Sequence, residues 1–116
     1  MAEELYRRRL SAYEQAYVHM LNLQLGISDY RNTQDIRKMN TSMAELNRYY
    51  QEKRIYLSPN LYLHLGDLWT AASRIGPQEP QDWSKWLQPH VDSIQSDINT
   101  DLHIAELSRV PDENMR

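Results

Sequence analysis

The chain has 116 residues, of which 41% are hydrophobic and 25% are charged, a composition typical of one globular domain. It contains no cysteine, which excludes disulfides, thiolate metal sites and cysteine nucleophiles. The formal net charge of −3 argues against nucleic acid as a partner, because phosphate binding depends on a basic face. No run approaches the roughly 20 apolar residues that span a bilayer, and no signal peptide is visible, so we expect a soluble, cytoplasmic protein.

The charge is unevenly distributed along the chain. Residues 1–58 carry nine Lys/Arg against seven Asp/Glu, whereas residues 59–116 carry four against nine. The positive charge is concentrated in Arg7, Arg8 and Arg9. Such a dipolar chain can dock head to tail or lie against an anionic surface, and solvated helix faces are the alternative interpretation.

A stripe with 4-3-4-3-4-3 spacing predicts a first helix over residues 3–28. Leu21 and Leu25 widen this stripe, as a bundle helix requires. The polar residues 29–33 predict a corner, because Asp, Asn and Thr side chains compete for backbone hydrogen bonds. The members of the stripe are Tyr6, Leu10, Tyr13, Tyr17, Met20, Gln24 and Ile27.

A second helix is predicted over residues 34–54, with Thr33 as its N-cap. Residues 40–42 are poor helix formers, so a break there is an alternative. The apolar positions, with 3-4-3-4 spacing, are Ile36, Met39, Met43, Leu46 and Tyr50.

Ser58 and Pro59 predict the start of a third helix over residues 59–75, because serine is a preferred N-cap and proline suits the first helical position. The dipeptide Gly76-Pro77 ends it. Alternation of leucine at positions 61, 63 and 65 would also suit a strand, but the cap and the longer helical series favour a helix. That series is Leu61, Leu65, Leu68, Ala72 and Ile75, joined by Trp69.

After a linker over residues 77–80, a long last helix is predicted over residues 81–108, with a tail at 109–116. Pro89 falls inside this helix, where it removes a hydrogen bond, so a kink or two successive helices are expected. The apolar positions, spaced 4-4-3-4-4-3, are Trp83, Leu87, Val91, Ile94, Ile98, Leu102 and Ala105. The sequence therefore predicts a single all-α domain over residues 1–116, a four-helix bundle with a long first helix and a Pro-interrupted last helix.

The polar residues show no catalytic constellation. The chain lacks a Gly-rich phosphate loop and the Gly-x-Ser-x-Gly elbow. His103 and Glu106, with Asp97 and Asp101 nearby, suggest a weak cation site and hence a small metal-dependent hydrolase as the enzymatic alternative. We predict no catalytic residue, no cofactor and no metal site, since solvated helix surface is the better explanation of these residues.

The aromatic residues are more informative, because the chain has eight tyrosines and no phenylalanine. Tyrosine must satisfy its hydroxyl, so it favours half-buried and interface positions. The alternative is a cluster in which the linker packs over one end of the bundle. We predict a partner-binding group formed by Tyr49, Tyr50, Tyr56, Trp83 and Trp86.

Three motifs together resemble a loosely defined set of uncharacterised bacterial and phage helical domains. The resemblance implies no activity, cofactor or catalytic residue. Many such domains follow one or two membrane-spanning helices on the cytoplasmic side, which would place Arg7, Arg8 and Arg9 near a membrane if a span lies upstream. The motifs are Tyr6-x-x-Arg9-x-x-x-Tyr13-Glu14-x-x-Tyr17, Arg54-Ile55-Tyr56-Leu57-Ser58-Pro59-x-Leu61 and Asp97-Ile98-x-x-Asp101-Leu102.

These observations favour a non-enzymatic helical interaction domain that self-associates or docks a larger assembly. A homodimer is expected through the first helix, because Leu23 lies around the cylinder from Met20 and Ile27 and indicates a second, narrower apolar face. Gln24 would set the register of that dimer. A monomer in which the last helix covers both faces, and a membrane-proximal module of a longer protein, are the alternatives.

Overall fold

A computed structural model describes residues 2–75 and 83–109, with side chains for residues 3–75 and 85–103. Within these ranges the chain forms four α-helices, one short 3-10 turn and no strand, so the predicted all-α fold is confirmed. The predicted linker over residues 77–80, the Gly76-Pro77 stop and most of the tail lie outside the described residues. The elements are α1 (Ala2–Thr33), α2 (Arg37–Glu52), the 3-10 turn (Arg54–Tyr56), α3 (Pro59–Ser73) and α4 (Trp83–Arg109).

The four helices form an up-down-up-down bundle in which α1 and α3 each pack against α2 and α4. Successive helices are antiparallel, as short connections require. Leucine, isoleucine and alanine side chains from all four helices meet in one continuous core. The fully buried leucines of this core are Leu23, Leu46, Leu61, Leu65, Leu68 and Leu87.

Helix α1 is longer than predicted, and the predicted corner over residues 29–33 is wrong. Thr33 does not cap α2: its Oγ1 donates to the carbonyl of Asp29 at 2.8 Å within the last turn of α1. The chain turns instead at Gln34, whose φ of 62° places it in the left-handed region. Tyr30 is buried, and this additional hydrophobic contact extends α1 past residues that favour turns.

Helix α2 begins without the predicted N-cap. Ile36 occupies that position without a side-chain hydrogen bond and is largely exposed. The carboxylate of Asp35 compensates, because its Oδ1 accepts the amide N–H of Arg37 at 3.1 Å. Helix α2 is unbroken through residues 40–42 and ends at Glu52 rather than at residue 54.

Helix α3 begins as predicted, with Ser58 as its N-cap. The Ser58 side chain accepts the amide N–H of Leu61 at 3.2 Å, and Pro59 is the first helical residue. The five-residue predicted series is buried and Trp69 is partly buried, whereas Leu63 is 58% exposed, as a helix requires and an alternating strand does not. The helix ends at Ser73, and Ile75 is buried just beyond it.

Helix α4 is continuous through Pro89, so of the two predicted alternatives the pair of successive helices is wrong. Pro89 and Lys85 are both exposed, and water can bind the Lys85 carbonyl that lacks its usual N–H partner. The inward side chains Leu87, Val91, Ile94 and Ile98 are buried as predicted.

The buried stripe of α1 is rotated from the predicted one. Tyr17, Leu21 and Leu25 are exposed, whereas Ala12 and Ala16 are buried. Large side chains dominated the predicted pattern, but α1 contacts α2 through small residues that let the two backbones approach closely. Gly26 shows this best, since a Cβ there would lie 3.0 Å from the Cα of Met39.

Candidate functional site

The predicted partner-binding residues do not form one surface. Tyr49, Tyr50 and Leu23 belong to the core, so their assignment to a partner site is wrong. Leu23 is fully buried because α1 turns this side toward α2 rather than toward solvent. Trp86 is 41% exposed on α4, and the side chain of Trp83 lies outside the described residues.

Tyr49 is a structural contact between α1 and α2. Its hydroxyl donates to the carbonyl of Ala12, and its ring lies 4.6 Å from the imidazole of His19. Burial raises the pKa of Tyr49 well above its usual range, so the phenol stays protonated as a hydrogen-bond donor.

Tyr50 lies at the boundary of α2 and α3. Its ring meets that of Tyr62 edge to face at 5.4 Å, and the guanidinium of Arg54 lies 4.7 Å above the Tyr62 ring. This group covers the end of the bundle next to the 3-10 turn. The linker that the alternative interpretation packs over the bundle end, residues 77–80, lies outside the described residues.

Tyr56 is the predicted residue that the structure joins to the arginine cluster. Its hydroxyl accepts a hydrogen bond from Nη1 of Arg8 at 3.2 Å, and Nη2 of the same arginine lies 2.6 Å from Oε1 of Glu4. The bond to Tyr56, followed by the charge of Glu4, raises the pKa of Arg8. Tyr56 is half-buried, so its ring forms part of a wall.

This wall closes a groove of about 370 Å³ between the start of α1 and the end of α2, which we call the basic groove. Three cationic side chains and one carboxylate line it. The lining residues are Glu4, Arg7, Arg8, Ser11, Ala12, Gln15, Lys53 and Tyr56.

Arg9 does not belong to this groove. It is half-buried, and its Nε is buried without a hydrogen-bond partner in the described part of the chain. The three consecutive arginines therefore do not act as one exposed cluster. Arg7 and Arg8 face the groove. Each helical residue is rotated by about 100° from the one before it, so Arg9 lies about 200° around α1 from Arg7, on another face.

A second polar group joins α1, α3 and α4. The hydroxyl of Tyr13 accepts the amide N–H of Ser58 at 3.0 Å and donates to Oδ2 of Asp101 at 3.0 Å. The Ser58 hydroxyl donates to the same carboxylate oxygen. Burial, the largest effect, raises the pKa of Tyr13, which keeps it a donor. All the groups are satisfied, so the arrangement positions the start of α3 rather than presenting a nucleophile.

Nδ1 of His64 and Oδ2 of Asp97 form a hydrogen-bonded contact between α3 and α4, one turn from Asp101. The weak cation site suggested by the sequence combines Asp97 and Asp101 with His103, but these carboxylates already have partners and His103 is exposed. Among the described residues, no three His, Asp or Glu side chains are grouped to hold a metal ion. The side chain of Glu106 lies outside the described ranges. The four-residue spacing of Asp97 and Asp101 is the sequence feature that indicates these contacts, because it places both carboxylates on one face of α4.

The outer face of α1 carries the surface that sequence analysis misplaced. Val18, Leu21 and Leu25 are 51%, 38% and 68% exposed. Their 3-4 spacing places them on one stripe, which we call the outer stripe. Leu25 borders a groove between α1 and α2, and Tyr17, one turn before Leu21, borders another between α1 and α4.

Comparison of the chain with protein-family models, curated proteins and solved structures found no match. Across the described residues, none of the helices combines the length and the apolar character that crossing a bilayer requires.

Proposed function

We propose that this chain is a cytoplasmic, non-enzymatic helical interaction domain that self-associates through the outer stripe of α1. One observation supports the proposal above the others: Val18, Leu21 and Leu25 are exposed together on the outward face of α1, whose opposite face is buried in the core. Single exposed leucines are ordinary, but a contiguous apolar stripe is typical of a docking surface.

A second copy of the chain is the proposed occupant. In a two-fold homodimer each copy contributes the same stripe, so no additional complementary surface is needed. The three side chains span the eight residues 18–25 of α1, or about 10 Å of helix. Three side chains bury much less surface than the roughly 800 Å² per partner of a stable interface. We therefore expect weak, concentration-dependent association.

Sedimentation equilibrium of the wild type and of Leu25→Glu tests this proposal. The wild type should shift from 13.8 kDa toward twice that mass as its concentration rises into the hundreds of micromolar. Leu25→Glu should stay monomeric at all concentrations, because a dimer would bury its charge. Its free energy of unfolding should change by less than about 0.5 kcal/mol, since residue 25 is exposed.

Leu63→Glu is the matched control. Leu63 is 58% exposed on the outer face of α3, so the same substitution there should leave association unchanged. A wild-type chain that remains at 13.8 kDa throughout, or a control that blocks association as fully as Leu25→Glu, would contradict the proposal.

A further inference from the structure

We propose that the basic groove binds a phosphate monoester, carried either by a small soluble molecule or by a lipid headgroup. The groove lies beside the outer stripe on α1 but shares no residue with it, so this inference is independent of self-association.

The charges in the groove favour a dianion. Arg7, Arg8 and Lys53 face one carboxylate, that of Glu4, in a chain whose formal net charge is −3. Glu4 already pairs with Arg8. Lys53 forms no ion pair with any described residue, and Nε of Arg7 lies 3.7 Å from Glu3. The groups that line the groove sum to +2, or to +1 once the Glu3 carboxylate beside Arg7 is included, and a phosphate monoester, with close to two negative charges at neutral pH, neutralises this excess.

The neutral side chains of the groove supply additional donors. The Tyr56 oxygen accepts from Arg8, and its own O–H has no acceptor among the described residues. In the same way, the Ser11 oxygen accepts from Nε2 of Gln15 at 3.3 Å, which leaves the Ser11 proton free to donate. Two hydroxyl groups and three cations therefore converge on a space with a single carboxylate.

The size and rigidity of the groove favour a small ligand. Its volume of about 370 Å³ falls within the usual range for small-molecule sites. Helix α1 fixes one wall, and the end of α2 with the 3-10 turn fixes the other. Arg8 is already oriented by Tyr56 and Glu4, and an exposed pair such as Arg8–Glu4 is weak enough for a phosphate to displace it.

Titration with inorganic phosphate, followed by ¹⁵N–¹H NMR at constant ionic strength, tests the site. The pH is kept above the second pKa of inorganic phosphate, which lies about one unit above the value of about 6 for a phosphate monoester, so that the dianion is the titrant. We expect saturable shifts at the amides of Ser11, Gln15, Lys53 and Tyr56. Lys53→Gln should weaken the apparent affinity roughly tenfold, because it removes one charge-assisted contact. Arg7→Gln is a second test of the groove and should also weaken phosphate binding. Because Arg7 is exposed, this substitution should leave the fold intact.

Lys38→Gln is the matched control, since Lys38 is exposed and pairs with Asp29 away from the groove. Shifts that rise linearly without saturation, or equal weakening by Lys38→Gln and Lys53→Gln, would overturn the site in favour of general charge screening.

Vesicles then distinguish the two sources of the phosphate. Sedimentation with phosphatidylcholine vesicles that contain phosphatidic acid, reversed by inorganic phosphate and lost in Lys53→Gln, supports a lipid headgroup. Saturable phosphate binding without vesicle sedimentation supports a soluble ligand. Vesicle binding that Lys53→Gln leaves unchanged would count against the groove.

Discussion

His19 shows how one residue can make the stability of the bundle depend on pH. It is half-buried between α1 and α2, with its ring against Tyr49. Burial lowers its pKa below the ordinary 6.5, and Arg48 acts in the same direction while Glu45 opposes them. The folded chain therefore favours the neutral imidazole and binds a proton less readily than the unfolded chain.

The sign of the pH effect follows from this difference. Above 6.5 both states are neutral at His19, and its full contribution to stability is present. As the pH falls from 6.5 toward the lower folded pKa, the unfolded state takes up a proton first and the contribution is lost. Thermal melts of the wild type should therefore show a lower midpoint below pH 6.5.

His19→Gln should remove this part of the pH dependence while keeping a polar side chain at the interface. Replacement of the exposed His103 by Gln serves as the control, and its pH profile should follow the wild type. Identical profiles for His19→Gln and the wild type would show that other groups govern the acid side.

At the scale of the helix, the two described glycines lie in opposite environments. A Cβ at Gly26 would meet the backbone of Met39 at 3.0 Å and of Lys38 at 3.2 Å. A Cβ at Gly66 would lie 4.0 Å from the nearest atom, the Tyr50 hydroxyl. Both glycines are inside helices, where alanine is intrinsically favoured by about 1 kcal/mol.

Gly66→Ala should therefore raise the free energy of unfolding by up to about 1 kcal/mol. Gly26→Ala should lower it, because the α2 backbone would have to move away from α1 and open space in the core. Urea unfolding of both variants measures the difference. If Gly26→Ala were as stabilising as Gly66→Ala, α1 and α2 would not cross as closely as described.

The helices that sequence analysis located best are those whose signals are local. The Ser58-Pro59 start is written into adjacent residues, and α3 begins where predicted. The end of α1 was missed because polar residues favour a turn locally, whereas burial of Tyr30 depends on α2. The periodicity of α4 does not show that Pro89 is exposed, and at an exposed position water can replace the hydrogen bond that proline removes. The sequence therefore overstated the effect of Pro89 on helix continuity.

The same limit applies to the candidate sites. The arginine run with Arg7 and Arg8 and the aromatic group with Tyr56 are separate features of the sequence, and only the fold joins them in one groove. Leu23 was predicted on an outer face but is buried. A helix that packs against two neighbours buries a wider arc of its surface than one stripe of apolar residues indicates. The bond from Tyr13 to Asp101 links residues 88 positions apart, so no local pattern could predict it.

At the scale of the whole molecule, stability depends on one core shared by all four helices. Leu68 is fully buried in that core, Leu10 is half-buried on α1, and Leu63 is 58% exposed on the same helix as Leu68. Aspartate at each position tests the same chemical change in three environments. Leu63→Asp and Leu68→Asp also carry similar helix-propensity costs, so their difference isolates burial.

Leu68→Asp should cost several kcal/mol, because it removes apolar contacts and places an unpaired carboxylate in the core. Since domains of this kind are stable by only about 5–15 kcal/mol, this variant should lose most of its cooperative thermal transition. Leu10→Asp should be intermediate, and Leu63→Asp should melt within a few degrees of the wild type. Far-ultraviolet circular dichroism follows all three, and a graded loss in the order Leu63, Leu10, Leu68 is the expected result. If Leu68→Asp melted like Leu63→Asp, α3 could not face the core in the described orientation, and the exposed positions used as controls would lose their basis.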